Sequence, residues 1–249
     1  MRFLARFYAV EIYAYAVMSN HYHLVLYYDP GAPRRWSDEE VARRWLAVHP
    51  PRSNGRVDEK AKKKVRDALL KDPALVEHYR RRLGSLSWFM RALNHPIACR
   101  ANREDEVTGH FWESRFKSSV LLDERAVLSC MVYVDLNPVR ARIAAKLEEC
   151  FYTSIRRRLR MAEADGNLRP ICSGLADVKP NLRVSIAPSQ YQALVVRIGF
   201  DHQSESGSLW RDRVQFMSRP QRAYGSLESL TAWVVRIGQR WTRAVAMPP

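Results

Sequence analysis

His21 and His23 flank Tyr22 in the stretch Met18 to Leu26, MSNHYHLVL. Side chains in a strand alternate faces with period two, so the two imidazoles share one face and Tyr22 takes the other. Two imidazoles one pleat apart can grip a divalent cation from one side. Alone, such a pair reads as hydrogen-bonded strand histidines, and metal chemistry needs further donors. A second set of reactive types lies far downstream, in Tyr133 to Ala141 (YVDLNPVRA). Asp123 is a good N-cap for a helix leading into it. Ala126, Cys130, Tyr133 and Asn137 are spaced to share one stripe of that helix. Val127, Met131 and Val134 form the adjoining apolar stripe, which is expected to face the core. Tyr133 and Asn137 therefore sit one turn apart. Pro138 is expected to end or kink the helix there. The plain structural alternatives are a core tyrosine with its hydroxyl at the surface and an asparagine C-cap.

The elements that must position these residues can be read around them. Glu11 to Val17 (EIYAYAV) is rich in β-formers, Met18-Ser19-Asn20 suits a tight turn, and His21 to Tyr28 reads as the second strand of a hairpin. Met1 to Val10 reads as the end of an amphipathic helix, with Leu4, Phe7 and Tyr8 on one face. Residues 30–84 read as a helical insertion. It carries a capping box at Ser37 to Glu40, a loop around Ser53-Asn54-Gly55, Asp72-Pro73 as a helix start and Gly84 as a stop. Its Lys62-Lys63-Lys64 and Arg80-Arg81-Arg82 runs read as solvated faces. Ser85 to Arg100 carries a helical apolar stripe (Leu86, Phe89, Met90, Leu93, Ile97), kinked or ended by Pro96. Its opposite face, with Arg91 and Arg100, is a candidate DNA surface. Gly109 to Val120 (GHFWESRFKSSV) reads as loop and strand, with Arg115 and Lys117 on one strand face and Trp112 and Phe116 in the core. Residues 161–189 read as a loop-like boundary, followed by helices near Gln190–Ile198, Leu209–Met217 and Leu227–Val245, with Trp210, Trp233 and Trp241 in a small helical core.

Composition narrows the partners. The chain has 249 residues, 47% hydrophobic, with a net charge of +15. Such an excess of cations points to a polyanion, most often nucleic acid. An acidic membrane surface is the alternative polyanion, but no apolar run is long enough to span a bilayer, and no membrane partner is expected. The four cysteines are scattered without a CxxC pair, so neither a zinc cluster nor a disulfide framework is signalled. They suit reduced thiols in a cytoplasmic, nucleoid-associated protein.

MSNHYHLVL, then GHFWESRFKS at Gly109 to Ser118, then YVDLNPVRA, in that order, resemble the single-tyrosine HUH transposases of the bacterial insertion-sequence and REP-associated type. The resemblance covers roughly Phe3 to Thr153, a little over half the chain. It implies that His21 and His23 are metal ligands, with Tyr22 in the hydrophobic place between them. It further implies that Tyr133 is the catalytic nucleophile and Asn137 the third ligand, with Arg115, Lys117, Arg140, Arg91 and Arg100 as DNA contacts. The implied fold is α+β: a ferredoxin-like antiparallel sheet with helices on one face. In that fold the first strand lies beside the strand carrying the histidines, and nothing here precedes the first helix. The chain is thus expected to be an N-terminally shortened member, with something else covering the exposed backbone. Residues 1–160 would form the catalytic domain, with 30–84 inserted, and 161–249 a C-terminal helical extension.

An unperturbed tyrosine titrates near pH ~10 and is a poor nucleophile at neutrality. The mixed nitrogen and oxygen donor set suits Mg or Mn. The resemblance implies that Tyr133 cleaves and rejoins single-stranded or hairpin DNA through a 5′-phosphotyrosine link, without ATP. It admits a homodimer. Two other readings compete: a decayed, non-catalytic DNA-binding protein, and a basic structural protein in which the motif matches are accidental.

Overall fold

The structure, a computed structural model, describes residues 1–160, 167–175, 184–201, 205–239 and 245–248. It mixes helix and strand around a small antiparallel sheet, the α+β class expected from the sequence. The chain opens with a single helical turn, α1 (Arg2–Ala5). The amphipathic helix expected through Val10 stops at Ala5, because Val10 already opens β1 (Val10–Val17). A turn follows in which the Met18 amide donates to the His21 carbonyl at 2.9 Å, and β2 (Tyr22–Tyr28) returns. His21 is thus the last turn residue, one position short of the expected strand.

Beyond a short 3-10 turn at Ala32–Arg35, the insertion is helical as expected. Ser37 Oγ accepts the Glu40 amide at 3.2 Å and starts α2 (Asp38–Val48). The Asn54-Gly55 stretch expected as loop is a small hairpin, β3 (Arg52–Ser53) with β4 (Arg56–Val57). Asn54 and Gly55 have φ of 51° and 78°, the left-handed pair that such a tight turn requires. Asp58 and Asp72 cap α3 (Glu59–Leu69) and α4 (Pro73–Leu83). The long α5 (Leu86–Glu104) carries Pro96 within it and buries Phe89, Met90 and Leu93. Its stripe stops short of Ile97, which is 39% exposed.

The Gly109 to Val120 segment departs from expectation. Only Val120 and Leu121 form a strand, β5 (Val120–Leu121). Arg115 lies in a bend and Lys117 in irregular backbone, so they do not alternate along a strand face. Phe116 is exposed rather than core, while half-buried Trp112 donates from Nε1 to the Asn94 carbonyl at 3.1 Å. Next come α6 (Glu124–Asp135), α7 (Asn137–Arg140), α8 (Ser154–Leu159), β6 (Cys172–Ser173), α9 (Pro188–Phe200), α10 (Glu205–Phe216), β7 (Ala223–Tyr224) and α11 (Leu227–Arg236). The last helix ends earlier than expected, with Gly238 at φ 67° just past it. Trp233 is buried and Trp210 half-buried, while Trp241 lies outside the described residues.

The main sheet has the order β2-β1-β6, and β5 pairs instead in parallel with β7, Val120 opposite Ala223. Among the described residues no strand pairs with the outer edge of β2. The other edge of β1 is well occupied. Ile171 and Gly174 donate backbone amides to the Ile12 and Val10 carbonyls at 2.6 and 3.0 Å, and the Val17 amide donates to the Tyr152 carbonyl at 3.0 Å. Strand pairing therefore comes from a segment that composition marks as loop.

Two compact units divide the chain: Met1–Glu11, Tyr27–Phe116 and Cys172–Lys179 form one, and Ile12–Leu26, Lys117–Ile171 and Pro180–Pro249 the other. In the first unit, buried Arg44 donates to Glu40 at 2.5 Å and to the Gly174 carbonyl at 2.9 Å, and lies 3.9 Å over the Trp36 ring. Gly174 packs so closely on the Ala5 and Tyr8 carbonyls that no side chain fits there. In the second unit, α6 buries Val127, Met131 and Val134, as its apolar stripe predicts. Each such side chain contributes roughly 1.5–3 kcal/mol relative to exposure.

Candidate functional site

The site forms within the second unit from the β1–β2 turn and the end of α6. The His21 and His23 rings lie 5.0 Å apart, edge to face at 85°. His21 is exposed and its Nδ1 is 2.7 Å from Asn20 Oδ1. With Nδ1 donating there, the Nε2 lone pair is left for a metal. His23 is half-buried. Burial, and then the neighbouring His21, push its pKa below the ordinary histidine value and favour the neutral imidazole.

Tyr133 joins this pair across the fold. Its ring centroid lies 5.9 Å from that of His23, again edge to face. Its sequence stripe is real: Tyr133 and Cys130 pack against the buried cluster of Ala126, Phe216, Met217 and Tyr224. The Arg140 guanidinium, from exposed Arg140 on α7, sits 4.8 Å over the Tyr133 ring. Helix α6 ends at Asp135, with Leu136 as its C-cap, and Pro138 falls in the first turn of α7, where its missing amide costs nothing. Asn137 opens α7, 9% exposed, so it begins a new helical turn instead of capping the old one.

Between Tyr133 and Asn137 stands the residue that sequence reasoning passed over. Asp135 is wholly buried. Its carboxylate accepts from the Ser154 hydroxyl, from the Ile155 amide at 2.9 Å and from the Tyr191 hydroxyl at 2.6 Å. Ser154 Oγ also accepts the Tyr15 amide of β1 at 3.0 Å. Asp135 thereby ties the end of the tyrosine helix to the strand leading into the histidine turn. Burial raises its pKa, partly offset by its donors and by the nearby Arg158 cation. Arg158, also buried, donates to the Tyr13 carbonyl at 2.6 Å. The available signal was a carboxylate one turn from Met131 on the apolar stripe, where a polar group needs partners.

The other basic candidates are dispersed. Arg115 and Lys117 are exposed, in loop rather than strand. Arg100 is exposed and paired with Glu104 at 2.7 Å. Arg91 lies 5.1 Å over the Trp88 ring. Within the second unit, Arg140 approaches the tyrosine.

The donor chemistry fits a divalent cation in part. His21 and His23 carry nitrogen donors, His23 biased to the neutral form, and Asn137, which opens α7, carries an amide oxygen. No group of three histidine, cysteine, aspartate or glutamate side chains able to hold a metal occurs among the described residues. No described helix is long and apolar enough to cross a membrane. Neither a family model, nor a curated protein, nor a solved structure matches this chain, so the reading of the site rests on its own geometry.

Proposed function

We propose that this chain is a single-tyrosine HUH transposase-like enzyme that cleaves and rejoins single-stranded DNA at Tyr133. One observation carries the reading. His21, His23 and Tyr133, far apart in sequence, stand in one cluster with ring separations of 5.0 and 5.9 Å. Tyr133 Oη attacks a phosphodiester, a tyrosine–phosphate bond forms, and the bond from phosphorus to O3′ breaks. The phenol proton leaves to water, and the departing O3′ takes one up. The phosphotyrosine conserves the bond energy, so the reverse attack by a 3′-hydroxyl needs no ATP. Magnesium or manganese, held by His21 and His23 with the Asn137 amide, would supply Lewis-acid stabilisation of charge on the phosphate. Arg140, close over the Tyr133 ring, adds positive potential where the phosphate must sit. Asp135 keeps the helix end in register with the histidine turn.

The test is a covalent-adduct assay. The chain is mixed with labelled single-stranded hairpin DNA and manganese and resolved on a denaturing gel beside Tyr133→Phe. A shifted band that requires both the metal and Tyr133 is expected. Retarded DNA on a native gel without any covalent band assigns a non-catalytic DNA-binding role. Unchanged DNA behaviour in both His21→Ala and Tyr133→Phe makes the motif matches accidental.

A further inference from the structure

The first unit carries a second concentration of chemistry, distant in sequence from His21 and Tyr133. Trp45 of α2 is stacked by Tyr79 of α4, with centroids 4.1 Å apart and planes at 16°, and His49 lies against it at 4.2 Å with planes tilted by 39°. Trp88 of α5 meets Trp45 edge-on at 6.2 Å. The Arg82 guanidinium lies 3.9 Å over Trp88, 5.6 Å from Trp45 and 5.8 Å from Tyr79, and Arg91 lies 5.1 Å over Trp88. We infer that this arginine–aromatic cluster binds a segment of single-stranded nucleic acid, with phosphate on Arg82 and Arg91 and a base on the exposed rings.

The bland account is that cation–π contacts simply hold the helices together. The neighbouring arginines argue against it. Arg80 pairs with Asp38 at 2.5 Å and Glu77 at 3.1 Å, Arg81 with Glu77 at 4.0 Å, and Arg100 with Glu104 at 2.7 Å. Arg82 and Arg91 form no ion pair with any described residue. Their positive charges crowd the same place, and both depress the pKa of His49 in addition to its burial. Two unneutralised guanidiniums within one cluster leave a potential that an anion relieves. A guanidinium stacked on a ring uses its flat face, and its N–H edge remains for phosphate oxygens.

The rings select among anions. His49 is exposed, and Tyr79 and Trp88 are half-buried, so aromatic surface is left for a further flat partner. An acidic peptide or a lipid headgroup uses the cations but not the rings. A duplex hides its base faces, whereas an unpaired base offers them. The ligand class is therefore phosphate joined to an unpaired base. The inference stands apart from the Tyr133 chemistry and survives its failure.

Binding is measured on the full chain, in EDTA so that no cleavage contributes, by fluorescence anisotropy with oligothymidylate, oligouridylate and a blunt DNA duplex. The Arg82→Gln/Arg91→Gln double variant is compared with Arg43→Gln/Arg81→Gln, which removes the same charge from arginines paired with Glu40 and Glu77. The first is expected to weaken single-strand binding about tenfold and to flatten the salt slope by about 1.4, at ~0.7 per lost phosphate contact. The second should change affinity by less than about twofold if its carboxylate-paired cations contribute little. The DNA and RNA arms identify the sugar. Equal loss in both double variants, or a duplex bound as tightly as a single strand, overturns the assignment. Photocrosslinking of iodouracil-substituted oligonucleotide to the unmodified chain decides independently of variant folding. Adducts at His49, Tyr79 or Trp88 support the site, and adducts wholly elsewhere overturn it.

Discussion

In each unit a buried charged side chain acts as a hub, Arg44 in the first and Asp135 in the second, and the two are opposite in sign and in setting. Arg44 in the first unit has a carboxylate partner, Glu40, and spends its remaining donors on the carbonyls of Arg6, Phe7 and Gly174. Asp135 in the second unit is met chiefly by neutral donors, Ser154, Ile155 and Tyr191. The physical consequence is an opposite response to pH. Arg43, then Arg44, holds the Glu40 carboxyl below its ordinary range, although partial burial opposes them. Burial holds Asp135 above that range. A charged partner makes burial of a charge tolerable, whereas neutral donors leave part of the desolvation cost in place. The arginine hub staples loops together. The aspartate hub fixes the helix that carries Tyr133.

The largest expected effect that breaks this comparison is on the aspartate hub. Asp135→Ala strands the Ser154 hydroxyl, the Ile155 amide and the Tyr191 hydroxyl in the core, for a loss of about 3–5 kcal/mol in urea unfolding. Asp135→Asn keeps an acceptor and is expected to lose less than half of that. A loss below about 1 kcal/mol for the alanine variant would show the network to be incidental. Arg44→Ala comes next, at about 3 kcal/mol, because Glu40 and the carbonyls lose their partner.

Unfolding measured against pH sharpens the contrast. A carboxyl raised in the folded state contributes stability that is present below its unfolded value and lost as pH rises through its folded value. For Asp135 the loss sets in within the ordinary carboxylate range and is complete above it. A depressed carboxyl does the reverse, so the Glu40 contribution is present above that range and lost as pH falls through its folded value. Asp135→Asn should abolish the first trend and Glu40→Gln the second, each leaving the other. Matching pH profiles for the two variants would remove the distinction. The smallest effect concerns His23. His21→Ala should raise the His23 pKa only part of the way to ~6.5, since burial remains the larger cause. Its ring-proton shifts in an NMR titration report this directly.

Local physics made much of the fold legible. The EIYAYAV run, the caps at Ser37, Asp72 and Asp123, and the Val127, Met131 and Val134 stripe all express period and capping, which act over a few residues. The separate histidine and tyrosine motifs were legible for the same reason, as residue types at fixed spacings. GHFWESRFKSSV failed as a strand because a strand exists only where an edge accepts it, and Val120 and Leu121 found theirs at β7. Asn54-Gly55 is a turn signal that two flanking residues on each side convert into a hairpin once Arg52 pairs with Val57.

The sequence by itself determined the helical and strand-forming segments, the excess of positive charge, the two-residue spacing of His21 and His23 and the four-residue spacing of Tyr133 and Asn137. Tertiary structure alone decided that His23 and Tyr133 meet, that Ile171 to Gly174 covers the edge of β1, and that Asp135 is buried with its donors. It also decided which arginines lie on carboxylates and which on rings. The reason is range. Capping and periodicity are settled between neighbours in the chain, but hydrogen-bond partners, desolvation and ring contacts depend on which distant segment the fold brings alongside.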